Sequence, residues 1–223
     1  GQNPDGTHQV EASCTACHND TIAQDKFTPW NQTGHAYIFN DNLSRSYYGP
    51  QCFACHTVGF DGGSNNGIED QADYGAFLAS GLIGSGDWLG VLSGYPDVAR
   101  RANIQCENCH GPQGNGHGLG SPRVRLSSDS CATCHGEPPR HARFQQWQLS
   151  GHANYELAID ESQSGTCSKC HTGNGFVVWA DQMAEGIDPN ESVPVTWTED
   201  EAHPQTCQTC HDPHMVGTTS GND

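Results

Sequence analysis

Apolar residues along this chain of 223 residues occur in short runs, separated by glycine, proline and polar clusters. The longest are GLIGSGDWLGVL at 81–92, GFVVWA at 175–180 and SVPVTW at 192–197. None approaches the ~18 apolar residues that a membrane helix needs, so we expect no membrane insertion. The two runs between 172 and 206 are rich in β-branched residues and predict a small β-hairpin.

The composition leaves little apolar material for a conventional core. The hydrophobic fraction is 34%, and 27 glycines and 12 prolines favour turns over long elements. An average domain is about 45–50% apolar when glycine is counted. Either the chain is largely disordered, or something other than side chains fills its interior.

The charge is strongly acidic, with 26 acidic against 9 basic residues and a formal net charge of -17. Only two of the basic residues are lysines, Lys26 and Lys169. Such a surface repels nucleic acid and anionic lipid. The acidic surface is explained either by solubility or by docking to basic partners, and composition alone does not distinguish between these two roles.

The twelve cysteines form six Cys-x-x-Cys pairs with none left over. They are Cys14 with Cys17, Cys52 with Cys55, Cys106 with Cys109, Cys131 with Cys134, Cys167 with Cys170, and Cys207 with Cys210. A histidine follows each pair directly: His18, His56, His110, His135, His171 and His211. Cys-x-x-Cys-His is the attachment motif for c-type heme.

The spacing of this motif has a chemical reason. Two thiols three residues apart can each add to one vinyl group of the same porphyrin, and the adjacent imidazole then binds the iron as proximal ligand. Zinc ribbons, disulfides and redox sites also use Cys-x-x-Cys but do not require the histidine. Histidine fills 13 of 223 positions, so six coincidences have a probability below ~10⁻⁷. The sequence therefore predicts six covalently bound heme c groups.

Six hemes also explain the sparse composition, because each porphyrin is a large apolar plate fixed by covalent bonds. The predicted fold is a multiheme cytochrome c, with mostly loops and short α-helices wrapped around a stacked heme chain and little β-structure. The long segment 57–105 is expected to be a surface loop with one or two short helices and no heme ligand.

The seven other histidines are candidates for the distal iron ligands, namely His8, His35, His117, His141, His152, His203 and His214. Two methionines, Met183 and Met215, are expected to be ordinary side chains. If every iron has two histidine ligands, the reduction potentials should be low, because methionine ligation raises the potential.

An internal repeat narrows this choice. FTPWNQTGHA at 27–36 matches FQQWQLSGHA at 144–153, which pairs His35 with His152. CFACHTVGF at 52–60 matches CSKCHTGNGF at 167–176, and CENCHGPQGNGH at 106–117 matches CQTCHDPH at 207–214, which pairs His117 with His214. We predict one hexaheme domain over 1–223, internally duplicated, with hemes 1–3 in 11–120 and hemes 4–6 in 121–218.

Two further distal ligands must come from the three histidines that the repeat does not pair. His141 precedes a stretch with helical character and is favoured by that position. His8 and His203 compete for the last place, and residue patterns alone leave this choice open.

These elements together resemble a family of multiheme cytochromes. The motifs are WNQTGHA and WQLSGHA, CHTVGF, CENCHGP followed by histidine, RH ahead of the second tryptophan, and CHDPH. The family includes the tetraheme cytochrome that accepts electrons from hydroxylamine oxidoreductase and the OmcE-like extracellular cytochrome filaments. The resemblance covers roughly 11–60 and 104–214, and the chain departs from the tetraheme members in having six motifs.

The resemblance implies alternating parallel-stacked and T-shaped heme pairs with bis-histidine ligation. It also implies that His35, His117, His141, His152 and His214 are distal ligands. In filament members the terminal heme takes a histidine from the neighbouring subunit. His8, six residues before Cys14, suits that role and is therefore preferred to His203.

Three functions are compatible with these features. The preferred hypothesis is a subunit of a polymeric extracellular electron conduit, a nanowire that exchanges electrons with redox proteins and shares an axial histidine between subunits. The alternative is a discrete soluble shuttle. A reductase needs an open iron site, and we expect no enzyme because distal candidates outnumber hemes and no motif ends in lysine.

The predicted location follows from the heme chemistry. Heme is attached to c-type cytochromes outside the cytoplasm, so we expect a periplasmic or extracellular protein. The start at Gly1 suggests a mature secreted form.

Overall fold

The computed structural model describes residues 12–61, 63, 67–111, 126–137 and 142–215. Within these ranges the chain forms short α-helices, 3-10 turns and loops, with no β-strand. Two isolated bridges join His18 to Ala23 and Thr57 to Ala102. The prediction of short helices and loops with little β-structure is confirmed.

The chain divides into two compact units. The first comprises Gly1–Ser121 together with Pro213–Asp223, and the second comprises Pro122–Asp212. The change of unit lies next to the predicted repeat boundary at 120/121, although the duplication itself stays a prediction. None of the helices in the described ranges is long and apolar enough to cross a membrane.

The first unit contains eight short α-helices among its described residues. They are Ala12–Thr15, Phe27–Trp30, Ile38–Asn42, Pro50–His56, Tyr74–Ala79, Trp88–Gly94, Pro96–Arg101 and Cys106–His110, with 3-10 turns at Gly34–Ala36 and Ile68–Asp70. Residues near the N-termini of several of these helices explain where each helix begins. Pro50 and Pro96 occupy first-turn positions, where a missing N–H costs nothing. The Asp87 carboxylate accepts a hydrogen bond from the Gly90 N–H at 2.9 Å and caps the helix Trp88–Gly94.

A side-chain core holds the first unit together. Phe39 and Phe53 are fully buried, with ring centroids 5.4 Å apart, and Phe77 packs on Phe39 at 6.2 Å. Segment 57–105 supplies much of this core. Its buried members are Ile68, Phe77, Val91, Leu92, Val98, Ala99 and Ala102.

The expectation that segment 57–105 is a surface loop is therefore wrong. The segment folds into three α-helices whose apolar faces pack against the helices of the second heme motif and of Ile38–Asn42. Its glycines and polar residues lie mainly in the turns between these helices. The expectation that hemes replace side chains as the core also fails for this unit.

The second unit contains six α-helices in its described part. They are Asp129–His135, Arg143–Gln148, Tyr155–Glu161, Ser168–His171, Gly173–Ala184 and Cys207–Cys210, with a 3-10 turn at Gly151–Ala153. Few apolar side chains are buried here, and small hydroxyl residues take their place. The buried polar residues of this unit are Ser128, Ser162, Ser168, Thr172, Thr206 and Thr209.

The predicted hairpin within 172–206 is also wrong. The run GFVVWA lies inside the twelve-residue helix Gly173–Ala184. The Thr172 hydroxyl accepts a hydrogen bond from the Gly175 N–H at 2.8 Å, which caps this helix and outweighs the β-preference of two valines. The run SVPVTW has no regular structure, although the Val193 N–H donates to the Gly165 carbonyl at 3.0 Å.

Candidate heme-binding sites

Each of the six Cys-x-x-Cys-His motifs includes helical turn structure. The His18 N–H donates to the Cys14 carbonyl at 2.9 Å, and the His211 N–H donates to the Cys207 carbonyl at 2.9 Å. The fifth motif has the same bond, from the His171 N–H to the Cys167 carbonyl at 3.0 Å. Positions i, i+3 and i+4 of a helical turn share one face. Both thiols and the imidazole are thus presented to the same side, as one porphyrin requires.

The two cysteines differ in accessibility in three of the six pairs. The first cysteine is half-buried in every pair, at Cys14, Cys52, Cys106, Cys131, Cys167 and Cys207. The second cysteine is half-buried at Cys17, Cys55 and Cys134 and exposed at Cys109, Cys170 and Cys210. All twelve lie in the described ranges, and no disulfide joins any of them. The thioether bonds to heme stay a prediction.

Exposed apolar side chains lie near several proposed ligands in sequence. Leu149, three residues before His152, is 90% exposed, and Ile22, four residues after His18, is 73% exposed. A large apolar cofactor bound beside these ligands could cover such side chains.

Two of the predicted proximal histidines have partners that orient the ring. Nδ1 of His18 lies 3.3 Å from the Gln24 carbonyl, which can only accept, so this nitrogen carries the hydrogen. Nδ1 of His56 lies 3.1 Å from the Tyr48 hydroxyl. A hydrogen bond at Nδ1 is the usual arrangement for imidazoles that bind a metal through Nε2.

Sequence reasoning missed Tyr48. The residue is only 4% exposed and sits against Phe39 and Phe53 in the core of the first unit. Burial raises the pKa of its phenol strongly, with a smaller contribution from Cys52, so the hydroxyl stays neutral. No sequence motif marks a tyrosine eight residues before a ligand, and the contact depends on how the helix Pro50–His56 packs.

In each unit, the first cysteine of the first motif lies next to the first cysteine of the third motif. In the first unit, burial raises the pKa of the Cys106 thiol to about 11, and neighbouring Cys14 adds to this increase. In the second unit, the Cys131 thiol hydrogen-bonds Cys207 and lowers the pKa of that thiol. These two pKa shifts apply to the free thiols, because a thioether has no proton to lose. The contacts bring two attachment points together in each unit.

The two predicted distal histidines of the Trp-x-x-Thr/Ser-Gly-His-Ala element have similar surroundings. His35 and His152 each lie in a 3-10 turn that follows a hydroxyl residue. The Thr33 hydroxyl donates to the Trp30 carbonyl at 2.8 Å, and the Ser150 hydroxyl donates to the Trp147 carbonyl at 2.7 Å. His35 is half-buried and His152 is exposed.

The aromatic pair ahead of each of these histidines is also similar. Phe27 and Trp30 have ring centroids 5.7 Å apart at 33°, and Phe144 and Trp147 have centroids 5.4 Å apart at 33°. The Trp147 indole donates to the Gln205 carbonyl at 2.7 Å and so ties this element to the loop before the sixth motif.

The second and third motifs of the two units share local hydrogen bonds as well. Thr57 donates to the Phe53 carbonyl at 2.8 Å, and Thr172 donates to the Ser168 carbonyl at 2.9 Å. Before the third motifs, the Gln105 N–H donates to the Asn108 side chain at 2.8 Å. The Thr206 N–H donates to the Thr209 hydroxyl at 3.0 Å.

The remaining distal candidates fall into two groups. His8, His117 and His141 lie outside the described residues. His214 is half-buried in the first unit, where its ring lies beside that of His110 with centroids 5.9 Å apart and planes inclined by 22°. His203, the candidate that the resemblance does not favour, is half-buried, and its backbone N–H donates to Asn174 Oδ1 at 2.8 Å.

The two methionines lie at the surface of their units. Met183 is 37% exposed and Met215 is 43% exposed. Within the residues that the structure describes, no three His, Cys, Asp or Glu side chains converge to hold a bare metal ion.

Comparison with known proteins adds to this description. The multiheme cytochrome MtrA of Shewanella baltica (strain OS185) is 26% identical over 145 residues, which cover 53% of this chain and 38% of MtrA. The similarity supports a multiheme c-type cytochrome. The chain spans less than two-fifths of the length of this relative. No family model and no solved structure matches the chain.

Proposed function

We propose that this chain is an electron-transfer cytochrome with six covalently bound heme c groups, and a subunit of a homopolymeric extracellular conduit. The observation that carries the electron-transfer function is the presentation of two thiols and an imidazole on one helical turn, six times in the chain. Bound heme iron carries one electron by alternating between its ferric and ferrous forms.

Different residues of the chain would anchor each porphyrin, bind its iron and orient the ligand rings. The six cysteine pairs anchor the porphyrins, and the histidine after each pair binds the iron. The Gln24 carbonyl and the Tyr48 hydroxyl hold two of the proximal rings in place. His8 is proposed to ligate an iron of the next subunit. The proposed distal ligands within the chain are His35, His117, His141, His152 and His214.

The arrangement of the anchors supports conduction. Cys14 neighbours Cys106 in the first unit, and Cys131 neighbours Cys207 in the second. Short distances between redox groups favour rapid exchange, so adjacent anchors are what a continuous chain of carriers needs. A contact between subunits that repeats head to tail without closing then extends such a chain into a filament.

The same contacts support internal duplication. The first motif approaches the third in one unit, and the fourth approaches the sixth in the other. The turn around His35 matches the turn around His152, and the threonine after each second motif makes the same hydrogen bond. We infer one ancestral three-heme unit that was copied within the chain.

A discrete shuttle in the periplasm or outside the cell is the second candidate. The net charge of -17 favours it, because an acidic surface steers encounters with basic redox partners. An enzyme is disfavoured, because seven histidines are available for six distal positions.

Cryo-electron microscopy of the purified holoprotein, with heme counting by pyridine hemochrome and intact mass, tests these proposals. Filaments are expected for the native chain, and discrete particles for the variant His8→Ala. The matched variant His203→Ala should still polymerise. Discrete native particles with six hemes would establish the shuttle, and fewer than six hemes would overturn the hexaheme assignment.

A further inference from the structure

The C-terminal histidine of the CHDPH motif lies in a different unit from the motif itself. His211 belongs to the second compact unit, whereas the chain returns to the first unit at Pro213, one residue before His214. There the His214 ring lies beside the ring of His110, the proximal histidine of the third motif. Both rings are half-buried.

The separation of the two rings matches that of imidazoles sharing one metal ion. A metal–imidazole bond is about 2.0–2.1 Å long and a ring nitrogen lies roughly 1 Å from the ring centre. Opposed ligands therefore have centroids about 6 Å apart. The observed distance between the ring centroids of His110 and His214 is 5.9 Å. We propose that His214 is the distal ligand of the heme attached at Cys106 and Cys109, opposite His110.

Chain geometry argues against the nearest alternative, in which His214 binds the iron of its own motif. Ligands on opposite faces of one iron have Cα atoms separated by two metal bonds and two side-chain lengths, roughly 12 Å or more. His211 and His214 are three residues apart, and three extended residues span at most ~10–11 Å. A histidine so close behind its motif is better suited to another iron.

This assignment deepens the proposed function and rests on heme attachment at the third motif. The repeat pairs His214 with His117, because both follow a third motif, but it does not assign either histidine to a particular heme. The contact with His110 instead makes the C-terminal segment complete a heme site built by residues 106–110. The last ligand of that site thus becomes available only after the whole second unit has been synthesised.

The test uses the full-length holoprotein and the variant His214→Ala. We expect six attached hemes as in the native chain, one new high-spin ferric signal by electron paramagnetic resonance, and binding of one CO per chain after reduction. Met215→Ala, the adjacent residue that is 43% exposed, is the matched control and should show neither change. Six hemes with no high-spin signal in His214→Ala would overturn the ligand assignment.

A second variant identifies which iron is affected. In Cys106→Ala/Cys109→Ala, which lacks the third heme, adding His214→Ala should produce no further high-spin heme. A new high-spin heme in that background would show that His214 serves another iron. Should this variant fail to mature, a density map of the native holoprotein decides between His214 and another ligand opposite His110. Unmodified Cys106 and Cys109 in the native peptide would instead contradict heme attachment, and thus the proposed function.

Discussion

At the scale of single residues, a hydrogen bond to the imidazole Nδ1 is one way in which the protein would tune a bound iron. His18 has a backbone carbonyl as partner, and His56 has the buried Tyr48 hydroxyl. A carbonyl is the stronger acceptor and makes the imidazole a better electron donor. The hemes of the first and second motifs should therefore differ in potential.

Replacing Tyr48 with phenylalanine tests this influence. The ring remains in the aromatic core while the acceptor for His56 Nδ1 is lost, so the imidazole becomes a weaker donor. We expect one of the potentials to rise by roughly tens of millivolts, with six hemes retained. Spectroelectrochemical titration measures the change. Tyr47→Phe is the control, because Tyr47 is 65% exposed and should leave every potential in place. An unchanged titration curve for Tyr48→Phe would show that the hydroxyl has no influence on the iron.

Residue identity predicts the heme attachment sites but not their surroundings. The six motifs are local patterns of five residues, so the sequence is enough to name the expected attachment points. Tyr48 could not be found in this way, because its contact with His56 depends on how Phe39 and Phe53 orient the helix Pro50–His56.

At the scale of secondary-structure elements, the helices of segment 57–105 give the first unit a core of side chains. Phe77 is fully buried between Phe39 and Tyr95, whereas neighbouring Leu78 is 39% exposed. The apolar positions of this segment are those of short amphipathic helices. They were difficult to recognise because the turns between them contain many glycines.

Removing a side chain from this core should lower the stability of the first unit. Phe77→Ala removes a fully buried aromatic ring, and we expect the free energy of unfolding to fall by about 3–5 kcal/mol. Leu78→Ala in the same helix should cost much less, because its side chain is already partly in water. Denaturant titration followed by far-ultraviolet circular dichroism compares the two variants. Equal losses would mean that the segment does not support the first unit.

A close backbone approach positions the longest helix beside the fifth motif. A Cβ atom on Gly175 would collide with the carbonyl of Ser168, which lies three residues before His171. Gly173–Ala184 can pack against Ser168–His171 only because this position has no side chain.

Gly175→Ala should therefore lower the thermal stability of the second unit, by about 1–3 kcal/mol if the helices move apart. Gly75→Ala is the matched control, since Gly75 also lies in the first turn of a helix and a Cβ added there would have no atom within 4 Å. We expect that change to be neutral or slightly stabilising. Differential scanning calorimetry of the holoproteins measures both. An unaffected Gly175→Ala protein would contradict the required close approach.

At the scale of the whole molecule, charge should control encounters with partners. The net charge of -17 attracts basic redox proteins, and salt screens this attraction over a Debye length of about 8 Å at 0.15 M. We expect the rate of electron exchange with a basic redox protein to fall steeply as ionic strength rises. Stopped-flow absorbance measures the rate, and an uncharged mediator serves as control. A rate that is independent of salt would exclude electrostatic docking.

The two units also show how differently one chain can build an interior. The first unit buries aromatic and aliphatic side chains, whereas the described part of the second buries mainly serine and threonine hydroxyls. The expectation from composition, that porphyrins replace the core, is wrong for the first unit and stays a prediction for the second. Composition averages over the chain and conceals this difference.

The sequence by itself determined where heme is expected to attach, because the chemistry depends on two thiols and an imidazole within five consecutive residues. It also indicated short helices and a scarcity of strands, since glycine, proline and short apolar runs act locally. Only the tertiary structure decided that segment 57–105 forms a core, because long-range packing partners are not visible in a turn-rich sequence. The structure also showed that GFVVWA is helical, where the cap at Thr172 outweighs the β-preference of the valines. It also decided which rings lie together. His110 and His214 are 104 residues apart, and only folding can bring residues so distant in sequence to one site.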